Sequence, residues 1–599
     1  MSSFSPPASE PAATSHRFWS VDSAPARLTQ PLSIWAAPAV LALFTGVAAL
    51  LLLLVNRMPA LVEAFPNHDI VFSPYSGTHS VPLRIFVLSF YIAFAAVVGA
   101  GALARLRFLG ELIFTYVLVC GLFDLVNILA WRSVGLLYSL HVVEILSGLI
   151  GFFVFSLKLL DHGSMPARAA VPERRFVRRF AWLRLGVAMA GAIAVSVLVD
   201  GLDLPLIRDL RSVSLLGGTG PGVFLFLPAL FLLLYVWGTL TAWLGTPRPF
   251  TPPLTIVIPA HNEAHVIGRT LAAVEAAARR YAGPVKVLVL DNNSTDGTAA
   301  ATRRALAGLP LIHGRVLDVP TPGKAVALNR GVAETDTDYL IRIDADTQVL
   351  PAALSRAMRH FSDPQAGVVG GLPLPPGGGP FDRARLLEVL LKHGYYQIAY
   401  GAIDGIVGVP GMFAAYRTEA LRAAGGFVQG MNGEDTDVSL RIGEMGYRVI
   451  GDPGVHYVSE VPVTYRHLRE QRMRWFRSVY HVCARNRTYL DDWRPSLRGK
   501  AILPFMLLNS ARRAMTVPLF IFGLLHLTLA LDATAPLTGQ AVLAVLLGAP
   551  ALMGAFAALA NGRIGALLGL PEYVLFRLLR SYLTLESVLS IAFAPRRDA

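Results

Sequence analysis

The sequence predicts an α/β domain with a mostly parallel sheet, inserted between multi-span α-helical transmembrane regions. Three observations carry this. Apolar runs recur towards both ends of the chain, many of them close to the ~20 residues needed to cross a bilayer. A middle block, residues 246–498, lacks such runs and alternates strand-like with helix-like segments. The 599 residues are 54% hydrophobic and only 16% charged, a deficit against the roughly 25% charge of a soluble chain.

Residues 1–32 form an N-terminal tail rich in Pro, Ser and Ala, without apolar period, and are expected to be disordered. No basic segment precedes a short apolar core, so a cleaved signal peptide is not expected. Region 33–245 holds about six candidate spans, at 33–55, 85–104, 112–131, 134–159, 183–199 and 223–244. Arg105 and Arg107 follow the second span, and Arg168, Arg174, Arg175, Arg178 and Arg179 follow the fourth. By the positive-inside rule both loops are cytosolic, which places the N-terminus and the middle block in the cytosol.

In region 499–599 further apolar runs occupy 517–531 and 541–560, after a basic, apolar interface helix from about Arg494 to Arg513. The stretch 573–593 is apolar but carries Arg577, Arg580 and Glu586, so it is interfacial, re-entrant or packed against its neighbours. The net charge of +13 fits basic loops facing anionic lipid. No basic stretch carries a nucleic-acid-binding motif. The two cysteines, Cys120 and Cys483, suggest neither a disulfide framework nor a zinc site.

Within the middle block, 254–260, 285–291 and 339–346 read as strands, and 263–281 and 324–334 as helices. Ligands of such sheets bind at the carboxyl ends of the strands. Asp344-Ala345-Asp346 stands there, where two carboxylates at i and i+2 can approach a divalent cation; alone, the pair is as well a solvated turn. Asp291 ends another strand, where it can accept a base N–H. Ser294 and Asp296 after it read as a helix N-cap. Lys324 follows a Pro-Gly turn at a helix start, placed to meet a phosphate or to sit solvated on the surface. Gly433-Glu434-Asp435 opens a helix and offers either a general base or favourable N-terminal acids. Gln471, Arg474 and Trp475 share one helix face and suit a pyrophosphate and a sugar ring, or form an interfacial cluster.

The five together, in this order, resemble the membrane-embedded processive family-2 glycosyltransferases, the group of cellulose, hyaluronan, chitin and poly-N-acetylglucosamine synthases. The resemblance covers about residues 254 to 475. It implies a Rossmann-like GT-A nucleotide-sugar fold and an inverting, metal-dependent transfer from a UDP-sugar to a growing β-linked polysaccharide, coupled to export. Residues Pro259 to Glu263 would then line the nucleoside pocket and Asp291 would bind the uracil. Lys324 and Asp344 would hold the diphosphate, Asp346 a Mg²⁺ or Mn²⁺ ion, and Asp435 would be the base. Glu434, Gln471, Arg474 and Trp475 would line the acceptor and pyrophosphate site.

The implied partners are the donor, the polysaccharide acceptor, membrane lipid and export or accessory subunits, and the location is the plasma (inner) membrane. The sequence departs from the family at Asn292, where a second acid often stands, and no cyclic-di-GMP-binding motif follows the last spans. Two rivals remain: a related enzyme with a ceramide or polyprenyl-phosphate acceptor, and a transporter or scaffold with a dead domain. Asp124 and Asn127 on the third span, and His141 and Glu144 on the fourth, are expected to pair with one another or to form a lipid or partner site.

Overall fold

The computed structural model describes residues 28–72, 81–138, 140–178, 180–205, 225–245, 248–493, 496–529 and 542–593. Most of the N-terminal tail, Arg179, Arg494 and the side chain of His141 lie outside the described residues.

Helices α1 (Ala36–Arg57), α2 (Leu83–Val97), α3 (Ala102–Val134), α4 (Leu140–His162), α5 (Ala181–Gly201) and α6 (Leu227–Leu244) precede the middle block. Five of them are long and apolar enough to cross a membrane; α2, at 15 residues, is shorter and is wrapped by its neighbours. Its buried Arg84 changes the expected polar pairing. Asp124 accepts two bonds from the Arg84 guanidinium at 2.6 and 2.7 Å, and Asn127 accepts the Tyr138 amide at 2.9 Å. Asp124 also accepts the Phe72 amide at 2.9 Å, so Arg84 and the chain before it share this carboxylate.

The sheet has eight strands: β1 (Leu254–Ala260), β2 (Val285–Asp291), β3 (His313–Asp318), β4 (Tyr339–Ile343), β5 (Gln348–Val349), β6 (Ala366–Leu374), β7 (Phe413–Arg417) and β8 (Arg448–Val458), in the order β3-β2-β1-β4-β7-β6-β8-β5. β1 to β4 are parallel to one another where paired, but β7 runs antiparallel between β4 and β6. The expectation of a mostly parallel sheet is met at β1 to β4 and again where β6 pairs with β8, while β7 and β5 run antiparallel to their neighbours, so the sheet is mixed. β1 (LTIVIPA) and β4 (YLIRI) are buried at every residue, which is why they read as continuous runs. β6 and β8 contain Gly and Pro at bulges and close approaches, so they read as breakers.

Helices α7 (Ile267–Tyr281), α8 (Thr298–Ala307), α9 (Lys324–Glu334), α10 (Asp382–Leu391) and α11 (Glu434–Glu444) cover the sheet. α12 (Tyr465–Arg485), α13 (Leu503–Ala514), α14 (Thr516–Leu529), α15 (Ala549–Ala560) and α16 (Leu570–Leu589) follow. The apolar core of the N-terminal helices runs without a break into α12 and α13. Ser156 of α4 donates to Leu507 O at 3.0 Å, which ties α4 to α13. On α16 the charges turn inward: Glu586 pairs with Arg469 and Arg580 with Glu388, each at 2.8 Å. The last of the three readings for this stretch, packing against neighbours, is the one realised.

The segment after α4 fastens the N-terminal helices to the α/β domain. Arg175 and Phe176 both donate their amides to Met445 O, at 2.8 and 3.1 Å, and Arg178 reaches Gly446 O at 3.0 Å. Gly446 has φ +93°, and a Cβ there would run into the carbonyl of Phe176. Gly446→Ala is therefore expected to lower stability by about 2 kcal/mol or more, through left-handed strain and overpacking. Thermal unfolding of the purified chain checks this; an unchanged midpoint would dismiss the fastening.

Candidate active site

The carboxyl ends of β1, β2 and β4 meet in one cleft. β1 carries Pro259 into it beyond Val257, the last residue that pairs with β4, so the missing N–H interrupts no bond on that side. Beyond the strand the backbone turns through Asn262 at φ +57°. The turn is held by β2's loop: Asn262 N donates to Ser294 Oγ at 3.0 Å, and Glu263 N to Thr298 Oγ1 at 2.8 Å. Ser294 thus braces the neighbouring loop and not the helix it was expected to cap. Asp296 serves both, taking Ala264 N and Thr298 N at 3.0 Å each.

Asp291, opposite Ala260 on β1 and Asp318 on β3, keeps a buried Oδ1 without a hydrogen-bond partner. Such an atom suits an incoming N–H donor. The next residue explains the departure noted at Asn292. Its amide is spent on the backbone: it donates to Val319 O and Thr321 O at 2.9 and 2.7 Å and accepts from Gly323 N at 2.8 Å. A carboxylate could not donate the first two. Asn292 therefore shapes the loop that delivers Lys324 to the start of α9.

Lys324 Nζ lies 2.8 Å from Asp344 Oδ1. On the other side Arg342, buried within β4, approaches Asp344 at 3.4 Å and Glu434 at 3.2 Å. Burial would raise the Asp344 carboxyl, but Lys324 and Arg342 hold it below the ordinary value. Asp346 has no cation within ion-pair distance among the described residues, and the charge of Lys324 offsets its rise only in part. Burial, Asp344 and Glu460 push it up to about 6, and burial with Asp346 pushes Glu263 up to about 9. Uncompensated carboxylates of this kind fit a divalent ion, which takes oxygen ligands and shares them with substrate phosphates and water. Among the described residues no group of three or more His, Cys, Asp or Glu is placed to hold a metal ion by itself.

Asp435 begins α11 behind Gly433, in the left-handed region at φ +90°. Burial raises its carboxyl, Glu434 adds to the rise and Arg342 opposes it. Gly411 leaves the room: a Cβ there would sit 2.8 Å from Asp435 Oδ2 and 3.0 Å from Arg342 Nη2. From α12, Arg474 feels the charges of Glu434, Glu470 and Asp344, and its buried Nε has no partner. Gln471 and Trp475 line a narrow pocket with Arg385, Met412 and Glu460. The Trp475 ring lies 4.9 Å from Arg385 and 4.8 Å from Arg472.

The residues that the family resemblance implied for the site fall into three stations around this cleft and its flanking pocket. Pro259 and Asp291 stand at one end, Glu263, Lys324, Asp344 and Asp346 in the middle, and Glu434, Asp435, Gln471, Arg474 and Trp475 at the other. Two residues were missed. Arg342 has a signal, since a charge inside an otherwise apolar strand two places before Asp344 must share its face. Arg472, 1% exposed, grips Glu388 with both terminal nitrogens at 2.7 Å, and its sequence signal is masked by Arg474 beside it.

Residues 255–425 match the family model Glycosyl transferase family 2, and the chain carries a family-2 glycosyltransferase domain. It is 26% identical over 235 residues to the poly-beta-1,6-N-acetyl-D-glucosamine synthase of Staphylococcus aureus (strain COL), covering 39% of this chain and 56% of that protein. It is 27% identical over 238 residues to the probable glycosyltransferase YdaM of Bacillus subtilis (strain 168), with the same coverage. The matched region thus spans little over half the length of these relatives. Among solved structures, a mannosyltransferase from Pyrobaculum calidifontis in complex with GDP-Man and Mn2+ aligns at 24% identity over 59% of this chain and 98% of that one, with a TM-score of 0.36. Residues 1–349 of Staphylococcus aureus TarS, in complex with UDP-GlcNAc, align at 14% identity over 56% and 90%, with a TM-score of 0.32.

Asn292→Ala is expected to lower stability by about 2 kcal/mol, because it orphans the Gly323 amide and two carbonyls in the interior. It should also weaken UDP binding by displacing Lys324. Calorimetry of both properties checks this; unchanged UDP affinity would separate the loop from the site.

Proposed function

We propose that the chain is an inverting glycosyltransferase that adds sugar from a UDP-sugar to a growing β-linked polysaccharide and is coupled to its export. The observation that carries the reading is the charge relay Lys324–Asp344–Arg342–Glu434. It joins a donor station to an acceptor station within one cleft. The flanking regions 33–245 and 499–599 sit in or on the plasma membrane, and the catalytic block 246–498 faces the cytosol, where nucleotide sugars are made. The basic loop after α4 supports that orientation.

The geometry supports the following roles. Asp291 Oδ1 accepts from the uracil, and Lys324 meets the diphosphate as a point charge. Asp346, with Glu263 and Glu460 nearby, would hold Mg²⁺ or Mn²⁺. When bound, that ion supplies charge neutralisation for the leaving nucleoside diphosphate. Trp475 offers its face to the acceptor sugar, and Arg474 faces the leaving pyrophosphate. Asp435 takes the proton of the acceptor hydroxyl as that oxygen attacks the anomeric carbon. The bond to the diphosphate breaks on the opposite side, so an α-linked donor gives a β-linked product.

Two outcomes are expected. Asp435→Asn should leave UDP binding nearly intact and lower turnover by about 10² or more. Asp435 works only when deprotonated, and its carboxyl lies above the ordinary value, so kcat in the parent should fall on acidification at a pH above the usual carboxylate range. Unchanged turnover in the folded variant would remove Asp435 as the base. Asp346→Ala should abolish turnover, and excess chelator should abolish that of the parent and be reversed by Mn²⁺ or Mg²⁺. Full activity in chelator would exclude the metal role.

A further inference from the structure

Next to the Trp475 pocket lies more buried positive charge than the chain itself balances. Glu388, 4% exposed, is approached by Arg385 and Arg472 at 2.7 Å and by Arg580 at 2.8 Å. One carboxylate thus answers three guanidiniums. The Nε atoms of Arg472 and Arg580 are buried without partners.

The charge then continues beyond Glu388 on half-buried and exposed side chains. Lys392 opens the wide π-type turn Lys392–Tyr396 after α10, Arg512 and Arg513 lie in the last turn of α13, and Arg577 stands three residues before Arg580 on α16. Among the described residues none of these four has a carboxylate within ion-pair distance. Arg512 has the Asn509 carbonyl at 3.2 Å, Arg577 the Tyr573 hydroxyl at 3.5 Å, and Arg513 the Phe476 ring at 5.0 Å. Arg513 feels the charges of Arg580, Arg512 and Arg577. Lys392 keeps its side chain exposed, yet surrounding protein and Arg385 pull its ammonium down to about 8, and it feels Asp435. Like charges gathered in protein are costly unless a counter-anion joins them.

The aromatic groups say what kind of anion. Trp475 lies against Arg385 and Arg472, Phe476 against Arg513 and Arg580 at 5.0 and 5.9 Å, and Tyr573 against Arg577 at 6.0 Å. Rings alternating with guanidiniums suit a ligand that itself alternates apolar sugar faces with acidic groups. A lipid headgroup would bring one phosphate, whereas this run begins at the acceptor pocket and extends away from it.

We propose that the acceptor and growing product are an acidic glycan, whose carboxylate or acidic ester groups are met by Lys392, Arg512, Arg513 and Arg577 as it leaves the Trp475 pocket. This rests on the reading of the chain as a polysaccharide-forming glycosyltransferase and narrows its substrate class.

The test uses the full chain in nanodiscs of phosphatidylcholine, with tetragalacturonate and chitotetraose as probes and UDP as control. The acidic tetrasaccharide should bind about tenfold tighter than the neutral one at low salt. The preference should vanish in Arg512→Gln/Arg577→Gln while UDP affinity stays the same. If that double variant does not fold, Lys392→Gln should reduce the same preference. Equal binding of the two probes, or a preference that survives in the folded variants, would overturn the proposal. So would retention of phosphatidylglycerol by the parent and not the variant without any glycan preference, which would make the cluster a lipid-headgroup site. Failure of the parent to bind UDP would instead strike at the glycosyltransferase reading itself.

Discussion

Arg342 carries a positive charge into the middle of the sheet, where it is 2% exposed, and two of the site's carboxylates lie within 3.5 Å of it. Asp344 and Glu434 come from different elements, a strand end and a helix start. With Asp346 and Asp435 beside them, four carboxylates would repel one another without a cation between. Arg342 and Lys324 neutralise the inner pair, which leaves Asp346 and Asp435 as the groups whose carboxyls rise. The same arrangement thus divides the carboxylates into two that lie against cations, Asp344 and Glu434, and two whose carboxyls burial raises, Asp346 and Asp435. Removing one partner of a buried pair of this kind typically costs about 3–5 kcal/mol, so the relay holds the fold as well as the chemistry.

How much of this was legible in the sequence depended on how local each signal is. β1, β2 and β4 could be read because each is a short apolar run that ends on polar residues, and those endings hold Glu263, Asp291, Asp344 and Asp346. β6 and β8 could not, because the close packing that makes them strands requires glycine. A Cβ at Gly370 would meet Val409, and one at Gly371 the carbonyl of Val455. Local reading turns those glycines into turns. The antiparallel β7 was lost for the same kind of reason, since direction in a sheet is set by connections and not by the strand's own residues.

Side-chain partners were less legible still. Asp124, Asn127 and Glu144 showed polar groups inside the helical bundle, but the charge that answers Asp124 is Arg84, in the first turn of α2. Likewise Asn292 looked like a lapse from an acidic pattern, whereas its three backbone bonds show an amide chosen because it can both donate and accept. What the sequence supplied was residue type and spacing. What it withheld was which of two chemically equal neighbours turns inward, as with Arg472 and Arg474.

α12 shows why the catalytic domain and the helical regions cannot be separated. Its N-terminal half turns Gln471, Arg474 and Trp475 to the cleft, and its C-terminal half buries Tyr480 and Cys483 in the core shared with the N-terminal helices. Ser587 of α16 donates to Met473 O at 3.1 Å, and Asp437 of α11 holds Asn486 at 2.7 Å. One rigid rod therefore meets the acceptor pocket, the helix that bears Asp435 and the apolar bundle at once. A shift of α16 or of the bundle must move Trp475 relative to Asp435 unless α12 bends. The helical regions and the cleft are therefore coupled through packing along one helix that contains no proline or glycine to bend at.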